Sequence, residues 1–331
     1  MGKTTTAVVG VGALGRHHLR WYSQLPDSDL VGLYDIDRDK AARYAAEYNV
    51  TAFDSLEQLA ERAAAVSVVV PTTAHYEVAS YLIERGIHCL IEKPVTSSYE
   101  DALRLEKHAP DRGVKLAVGH IERFNPAVRA LAGLDIQPSF IEAHRLAAFD
   151  PRGTDVAVVL DLMIHDIDLA LMFIQSNIVN IQASAVAVVS DKPDIANARL
   201  TFENGAVANL TASRISLGAM RKLRIFQKSG YYSLDLAAKQ ADLYRMAAPD
   251  EPSEGMRLPL GKSGKDILYL KKGNDGEDML RMELAAFLKA VDDDGPVAVT
   301  VRDGAEALRV ALEVERIGSE SAHKMLGTGP I

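Results

Sequence analysis

The segment LDLMIHDIDL, residues 160–169, sets three aspartates and one histidine among six leucine, isoleucine and methionine residues. Charge in so apolar a stretch is costly to bury unless it is paired or put to use. At about 100° per residue on an α-helix, Asp161, His165 and Asp168 fall within about 60° of one another, and Asp166 points about 100° away from His165. Apolar side chains cover most of the remaining circumference, so the helix reads as buried on nearly every side. Three chemistries fit the stripe. It is a satisfied histidine–carboxylate pair of the core, a metal site with Asp-x3-His-x2-Asp ligands, or a general base, His165, oriented by a carboxylate. No cysteine or second histidine cluster supports a metal, and none is expected. A second reactive candidate is Lys93, in LIEKPVT (90–96), directly after a strand-like run. At the carboxyl edge of a parallel sheet such a lysine can donate to a substrate hydroxyl, hold charge near a cofactor or share a proton. Its plainer reading is a surface lysine paired with Glu92.

The amino-terminal AVVGVGALG carries Gly10, Gly12 and Gly15 in G-x-G-x-x-G spacing, after a hydrophobic strand and at the head of a helical pattern. Asp35 closes the next strand, 20 residues beyond Gly15. These are the context conditions of a dinucleotide fingerprint. Gly10 permits the tight turn, Gly12 lets a pyrophosphate approach the backbone, and Gly15 allows close packing of helix on strand. The helix amino terminus offers N–H groups to the phosphates. Asp35 accepts hydrogen bonds from an adenosine ribose and repels a 2′-phosphate, which favours NAD over NADP, with Arg38 nearby as the countervailing charge.

These residues need a scaffold, and the chain supplies two textures. Before residue 120, strand-like runs at 5–10, 29–35, 66–71, 86–92 and 114–119 alternate with helical patterns, which implies a parallel, doubly wound sheet of the Rossmann kind. After Pro126 comes a long helical segment at about 155–174, then strand-like runs from IVNIQASAVAVV to YYSLDL, with a Glu-Asn-Gly hairpin turn at 203–205. That is the pattern of a mostly antiparallel sheet. A polar stretch at 247–275 leads into two closing helical patterns. The expected division is a dinucleotide-binding domain, 1–121, and an α+β domain for substrate and oligomerisation, 122–331, whose last helix packs back on the first domain. At 331 residues and 48% apolar side chains the chain can bury a large core. Its net charge of −8 disfavours nucleic acid, the apolar runs are too short for a transmembrane anchor, and the single cysteine, Cys89, fits the cytoplasm.

Gly10, Gly12 and Gly15, VPTTAHYEVA (70–79), EKP (92–94), GHIERFNPAV (119–128), LDLMIHDIDL and the carboxyl-terminal MELAAFLKAVDDD segment together resemble the glucose–fructose oxidoreductase, inositol dehydrogenase and MocA family. The resemblance implies a Rossmann domain joined to an α+β domain with a large open sheet, and NAD-dependent oxidation at a sugar or polyol carbon. It assigns the cofactor to Gly10, Gly12, Ala13, Leu14, Gly15, Asp35, Pro71, Thr72, His75, Glu92 and Lys93. It makes Lys93, His165 and Asp161 catalytic and adds Arg123 and Asn125 to the substrate contacts. Met163 departs from the small residue that many relatives carry there. Within the family, GHIERFNPAV and DLMIHDIDL look most like the UDP-N-acetylglucosamine 3-dehydrogenases. That likeness implies oxidation of the sugar 3-hydroxyl of a sugar nucleotide, an aminotransferase acting next in diamino-sugar synthesis of the lipid A or surface-polysaccharide kind, and a homodimer or homotetramer. Arg145, Arg152 and Arg214 are chemically suited to the diphosphate. A dehydrogenase of a free sugar or inositol, and a non-catalytic cofactor-binding regulator, are the rival expectations.

Overall fold

The computed structural model describes residues 2–150, 156–247, 255–273 and 276–326, with the backbone alone for 322–326. It divides into two compact units, Met1–Ile121 with Glu277–Arg309 and Glu122–Gly276 with Val310–Ile331.

The first unit is built on six strands, β1 (Thr4–Val9), β2 (Ser28–Tyr34), β3 (Thr51–Ala52), β4 (Ala65–Val68), β5 (His88–Glu92) and β6 (Leu116–Gly119). They lie in the order β3-β2-β1-β4-β5-β6, every pair parallel. Between them run helices α1 (Gly15–Tyr22), α2 (Arg38–Tyr48), α3 (Leu56–Ala60), α4 (Thr72–Glu84) and α5 (Tyr99–Asp111). The order reverses at β1, and ligands of such sheets bind beyond the carboxyl ends of the strands at that switch point. Local chemistry sets the helix ends. The side chains of Asp37, Ser55 and Ser98 cap α2, α3 and α5 by accepting backbone N–H groups of the first turn. By contrast α1 has no side-chain cap and no acid in its first turn, although it follows the glycine loop directly.

A short helix in the second unit, α6 (Pro126–Arg129), is followed by β7 (Phe140–Leu146) and α7 (Ile164–Ile174). Eight further strands follow: β8 (Ile178–Val186), β9 (Ile195–Phe202), β10 (Val207–Ser213), β11 (Met220–Gln227), β12 (Gly230–Asp235), β13 (Gln240–Met246), β14 (Met256–Pro259) and β15 (Asp266–Gly273). The sheet order is β14-β15-β13-β12-β11-β7-β10-β9-β8, antiparallel throughout except for β7 beside β10. Strand β7 alternates buried Ile141, Ala143 and Arg145 with half-exposed Phe140, Glu142, His144 and Leu146, as a strand with one covered face must. On the uncovered face, in-register pairing lines up Phe140, Phe226, Tyr231, Tyr244 and Tyr269 as a row of rings 4.8–5.6 Å apart. Gly205 (φ +86°) supplies the positive φ of the 203–205 turn.

Two parts of the sequence reading change. Strands β14 and β15 occupy the stretch expected to be a polar connection, because its apolar residues are sparse and the pairing is settled by β13. The expected helix from about 155 is not uniform: residues 159–163 form a π-turn before α7 begins.

Helices α8 (Met279–Asp292) and α9 (Val301–Leu326) close the chain, and the boundary between the units falls within α9. Leu284, Phe287 and Leu288 of α8 share one apolar cluster with Val8, Leu19, Tyr22 and Leu33. Helix α8 is therefore part of the first unit's core. Phe287 is 2% exposed, so Phe287→Ala should cost about 3–5 kcal/mol. A lowered urea midpoint, with weaker NAD binding at denaturant levels the wild type tolerates, is the expected observation.

Candidate functional site

In the first unit the glycine loop answers to steric limits. Gly10 has φ +86°, and a Cβ on it would meet the Val69 carbonyl oxygen at 2.4 Å. A Cβ on Gly15 would lie 1.9 Å from the Gly10 carbonyl oxygen, whereas one on Gly12 would meet nothing within 4 Å. The first and third glycines are thus required by the chain itself. The second leaves open space beside exposed Ala13 and Leu14 at the uncapped start of α1, where an anion is favoured. Asp35, 8% exposed, accepts the backbone N–H of Val11 at 2.8 Å and of Asp37 at 2.8 Å. Two donors fix the carboxylate and leave acceptor capacity for ribose hydroxyls. Arg38 donates to the carbonyls of Phe53 (3.0 Å) and Asp54 (2.5 Å) and lies over the Tyr34 ring. It is tied to its own unit rather than held out for a 2′-phosphate. This loop, helix start and carboxylate fit NAD.

The Lys93 turn is braced from below. Glu92, the last residue of β5, accepts the Lys93 backbone N–H at 3.2 Å, and its other oxygen lies 3.2 Å from Nε2 of buried His18. Burial pushes the Glu92 carboxyl up, but the His18 hydrogen bond and the charges of His18 and Lys93 outweigh it and hold it below the usual carboxylate range. His75 is 1% exposed, and its ring nitrogens face the carbonyls of Pro94 (2.8 Å) and Val70 (2.9 Å). Burial pushes its pKa down against those two carbonyls. Its imidazole joins the Lys93 turn to the segment carrying exposed Pro71 and half-exposed Thr72.

In the second unit the four polar residues of LDLMIHDIDL divide differently from the stripe read off an α-helix. Asp161 lies in the π-turn, where hydrogen bonds close i→i+5 and the spacing of 100° per residue does not hold. Asp161 and His165 stay partly exposed, whereas Asp166 and Asp168 are 2% and 1% exposed. Arg123 grips Asp168 with Nε at 2.9 Å and Nη2 at 2.6 Å. Arg145, on β7, donates to both oxygens of Asp166 (3.0 and 2.7 Å) and to Glu122 at 2.8 Å. Burial raises the Asp166 carboxyl, and Arg145 opposes it. Arg145 itself resists desolvation, and Asp166 and Glu122 hold its guanidinium above the ordinary arginine range.

Several expected substrate contacts are consumed by this lattice. Asn125 is fully buried; its carbonyl caps α6, and its amide donates to Glu122 and to the Leu236 carbonyl, both at 2.9 Å. Arg123 is committed to Asp168, and Arg145 is a core ion. Arg214, 5% exposed, donates to the Val156 carbonyl beside buried Asp194. Arg152 lies outside the described residues. Met163 is buried at 0% exposure. His18, Asp166, Glu122 and Glu283 were missed as site-supporting groups. A carboxylate in an apolar stripe was the available signal, since Glu283 falls in register with Leu280, Leu284, Phe287 and Leu288.

Two family models match the chain, one described as an oxidoreductase family with an NAD-binding Rossmann fold over residues 4–120, the other as the GFO/IDH/MocA C-terminal domain over 140–233. The chain belongs to the GFO/IDH/MocA oxidoreductase family. This family member is an NAD-dependent oxidoreductase. It is 40% identical over 311 residues, 93% of its length and 95% of the relative's, to a UDP-N-acetylglucosamine 3-dehydrogenase of Acidithiobacillus ferrooxidans. A solved structure of that enzyme matches with a TM-score of 0.86 at 37% identity, covering 96% of this chain and 98% of the other. A myo-inositol dehydrogenase of Streptomyces leeuwenhoekii is 27% identical over 94% of this chain and 96% of its own. Among the described residues no helix of this family member is long and apolar enough to cross a membrane.

Three substitutions test these geometries. Gly15→Ala should lose at least about 1–3 kcal/mol of stability by overpacking. Gly12→Ala should keep the wild-type melting temperature yet bind NAD about tenfold more weakly, a difference of about 1.4 kcal/mol measurable by titration calorimetry. Arg145→Met would leave Asp166 and Glu122 as buried acids without their cation, at a cost of about 3–5 kcal/mol near neutral pH. Carboxyls whose folded pKa is raised lose stability as pH rises, so the deficit should shrink toward pH values in the usual carboxylate range. Urea unfolding across that range gives the comparison.

Proposed function

We propose that the protein oxidises the 3-hydroxyl of UDP-N-acetylglucosamine to the 3-keto sugar nucleotide. The carrying observation is the 40% identity over 93% of the chain to an enzyme of that name. Within the structure, support comes from Asp161 and His165, which stay partly exposed while the neighbouring aspartates are bound by arginines. In this reading Gly10, Gly12, Ala13, Leu14, Gly15, Asp35, Pro71, Thr72 and Lys93 hold the cofactor. NAD, when bound, supplies the hydride acceptor. His165 takes the hydroxyl proton as general base, Asp161 holds the sugar and the imidazole, and Lys93 donates to the substrate hydroxyl. Arg123 and Arg145 act on these groups indirectly, by fixing α7.

The pathway follows from the product. A 3-keto sugar nucleotide is a substrate for an aminotransferase, and consumption of the ketone draws an unfavourable oxidation forward. A cytoplasmic setting accords with that chemistry. A homodimer or homotetramer is supported by the half-exposed aromatic row on the second unit's sheet, since broad apolar faces seldom stay solvated; light scattering measures it.

Reduced-cofactor absorbance on mixing protein and NAD with UDP-N-acetylglucosamine, other sugar nucleotides, free sugars and inositols tests the substrate, with an aminotransferase and amino donor as trap. Turnover of a free sugar or inositol with none of the sugar nucleotide would replace this reading. His165→Asn should lower kcat by about 10²–10⁴-fold and leave NAD affinity intact. Near-normal turnover in that variant would remove His165 from the mechanism.

A further inference from the structure

Behind the Lys93 turn lie two carboxyls with unequal surroundings, half-buried Glu92 and buried Glu283. Glu92 has the His18 ring and the Lys93 backbone N–H as partners. The chain makes room for it, since a Cβ on Gly119 would lie 3.0 Å from its carboxyl carbon. Glu283 enters from α8, is 3% exposed, and has no hydrogen-bond donor for either oxygen among the described residues. The titratable neighbours of this pocket are His18 and Tyr22 on α1, Glu92 and Cys89 on β5, and Lys93 after it. The Tyr22 hydroxyl is occupied with Ser67 at 2.9 Å. The His18 ring and the Lys93 charge both act on Glu92. An ionised Glu283 would be a buried charge with neither donor nor counter-ion, beside a carboxylate of the same sign.

We propose that Glu92 and Glu283 form a one-proton pair, with Glu283 its buried member. Glu92 is the ionised member, held by His18 and the Lys93 backbone, and Glu283 is a neutral carboxylic acid whose ionisation would set a second negative charge behind the Lys93 turn. The pair thereby fixes the upper pH limit within which that turn keeps its working geometry. Burial and the Glu92 charge both push the Glu283 carboxyl well above its usual range, which agrees with this division. Glu283 is a positioning residue. The neutral state of Glu283 stands on its burial without a donor for either oxygen; the effect on rate rests on the role given to Lys93 under Proposed function.

The two parts separate experimentally. Infrared spectroscopy of the whole protein near neutral pH should show a carboxylic-acid C=O band that Glu283→Gln removes. Thermal melts should show Glu283→Gln gaining on the wild type as pH rises from the usual carboxylate range, because a carboxyl with a raised folded pKa gives up stability along that path. If Glu283→Gln does not fold, Glu283→Leu serves as the variant whose loss of the band assigns it. For the reaction, each kcat/KM profile is normalised to its own maximum. The wild type should lose activity on the alkaline side in a step that Glu283→Gln lacks, about tenfold for each pKa unit of interaction between the charges. Absence of the infrared band overturns the pair. A band with superimposed pH profiles overturns its link to Lys93. Lack of turnover with every substrate overturns the substrate assignment and leaves the infrared and melting results to decide the pair.

Discussion

Arg145 is a guanidinium that does not give up its proton, placed at 3% exposure inside a sheet-and-helix core. Everything near it must answer to that charge. Asp166 meets it in a two-pronged pair and Glu122 takes a third N–H, so one side chain on β7 ties down both α7 and the short helical turn at 121–124. Arg123, next along that turn, repeats the arrangement with Asp168. Apolar packing would tolerate small slips of α7 along its axis. Paired forks of fixed geometry do not, and the position of His165 inherits their precision.

The first unit solves a similar problem with less charge. Its glycine loop is shaped by atoms that are missing, its Asp35 is oriented by two backbone donors, and its Lys93 turn is held by a carboxylate beneath and an imidazole beside it. The residues that face outward are few, and each rests on buried polar partners. His18, His75 and Glu92 all bear on the shape of the turn.

The parallel sheet was legible because its strands are buried runs with helical patterns between them, and the glycine fingerprint was legible because steric demands recur at fixed spacing. Strand β3 was not, being two residues that only pairing with Gly32 and Leu33 makes a strand. Strand β7 was also missed, since alternating Phe140, Glu142, His144 and Leu146 on its open face hide the buried Ile141 and Ala143. LDLMIHDIDL was legible as polar residues in a buried helix, but not how those residues divide. The π-turn breaks the spacing between Asp161 and His165, and Asp166 and Asp168 are held by Arg145 and Arg123, 21 and 45 positions away in sequence. Long-range ion pairing leaves no periodic trace, so Arg145 looked like a free cation for a diphosphate.

Helix α8 carries a consequence for biosynthesis. The sheet formed by the first 119 residues has its flank filled by Leu284, Phe287 and Leu288, which the ribosome supplies only after the whole nine-stranded sheet has been made. Until then the nascent dinucleotide-binding unit displays an uncovered apolar flank, and it cannot finish folding in the order of its synthesis. Completion of the cofactor unit thus waits on emergence of the far end of the chain, and the second unit, which takes in Val310–Ile331, is completed later still.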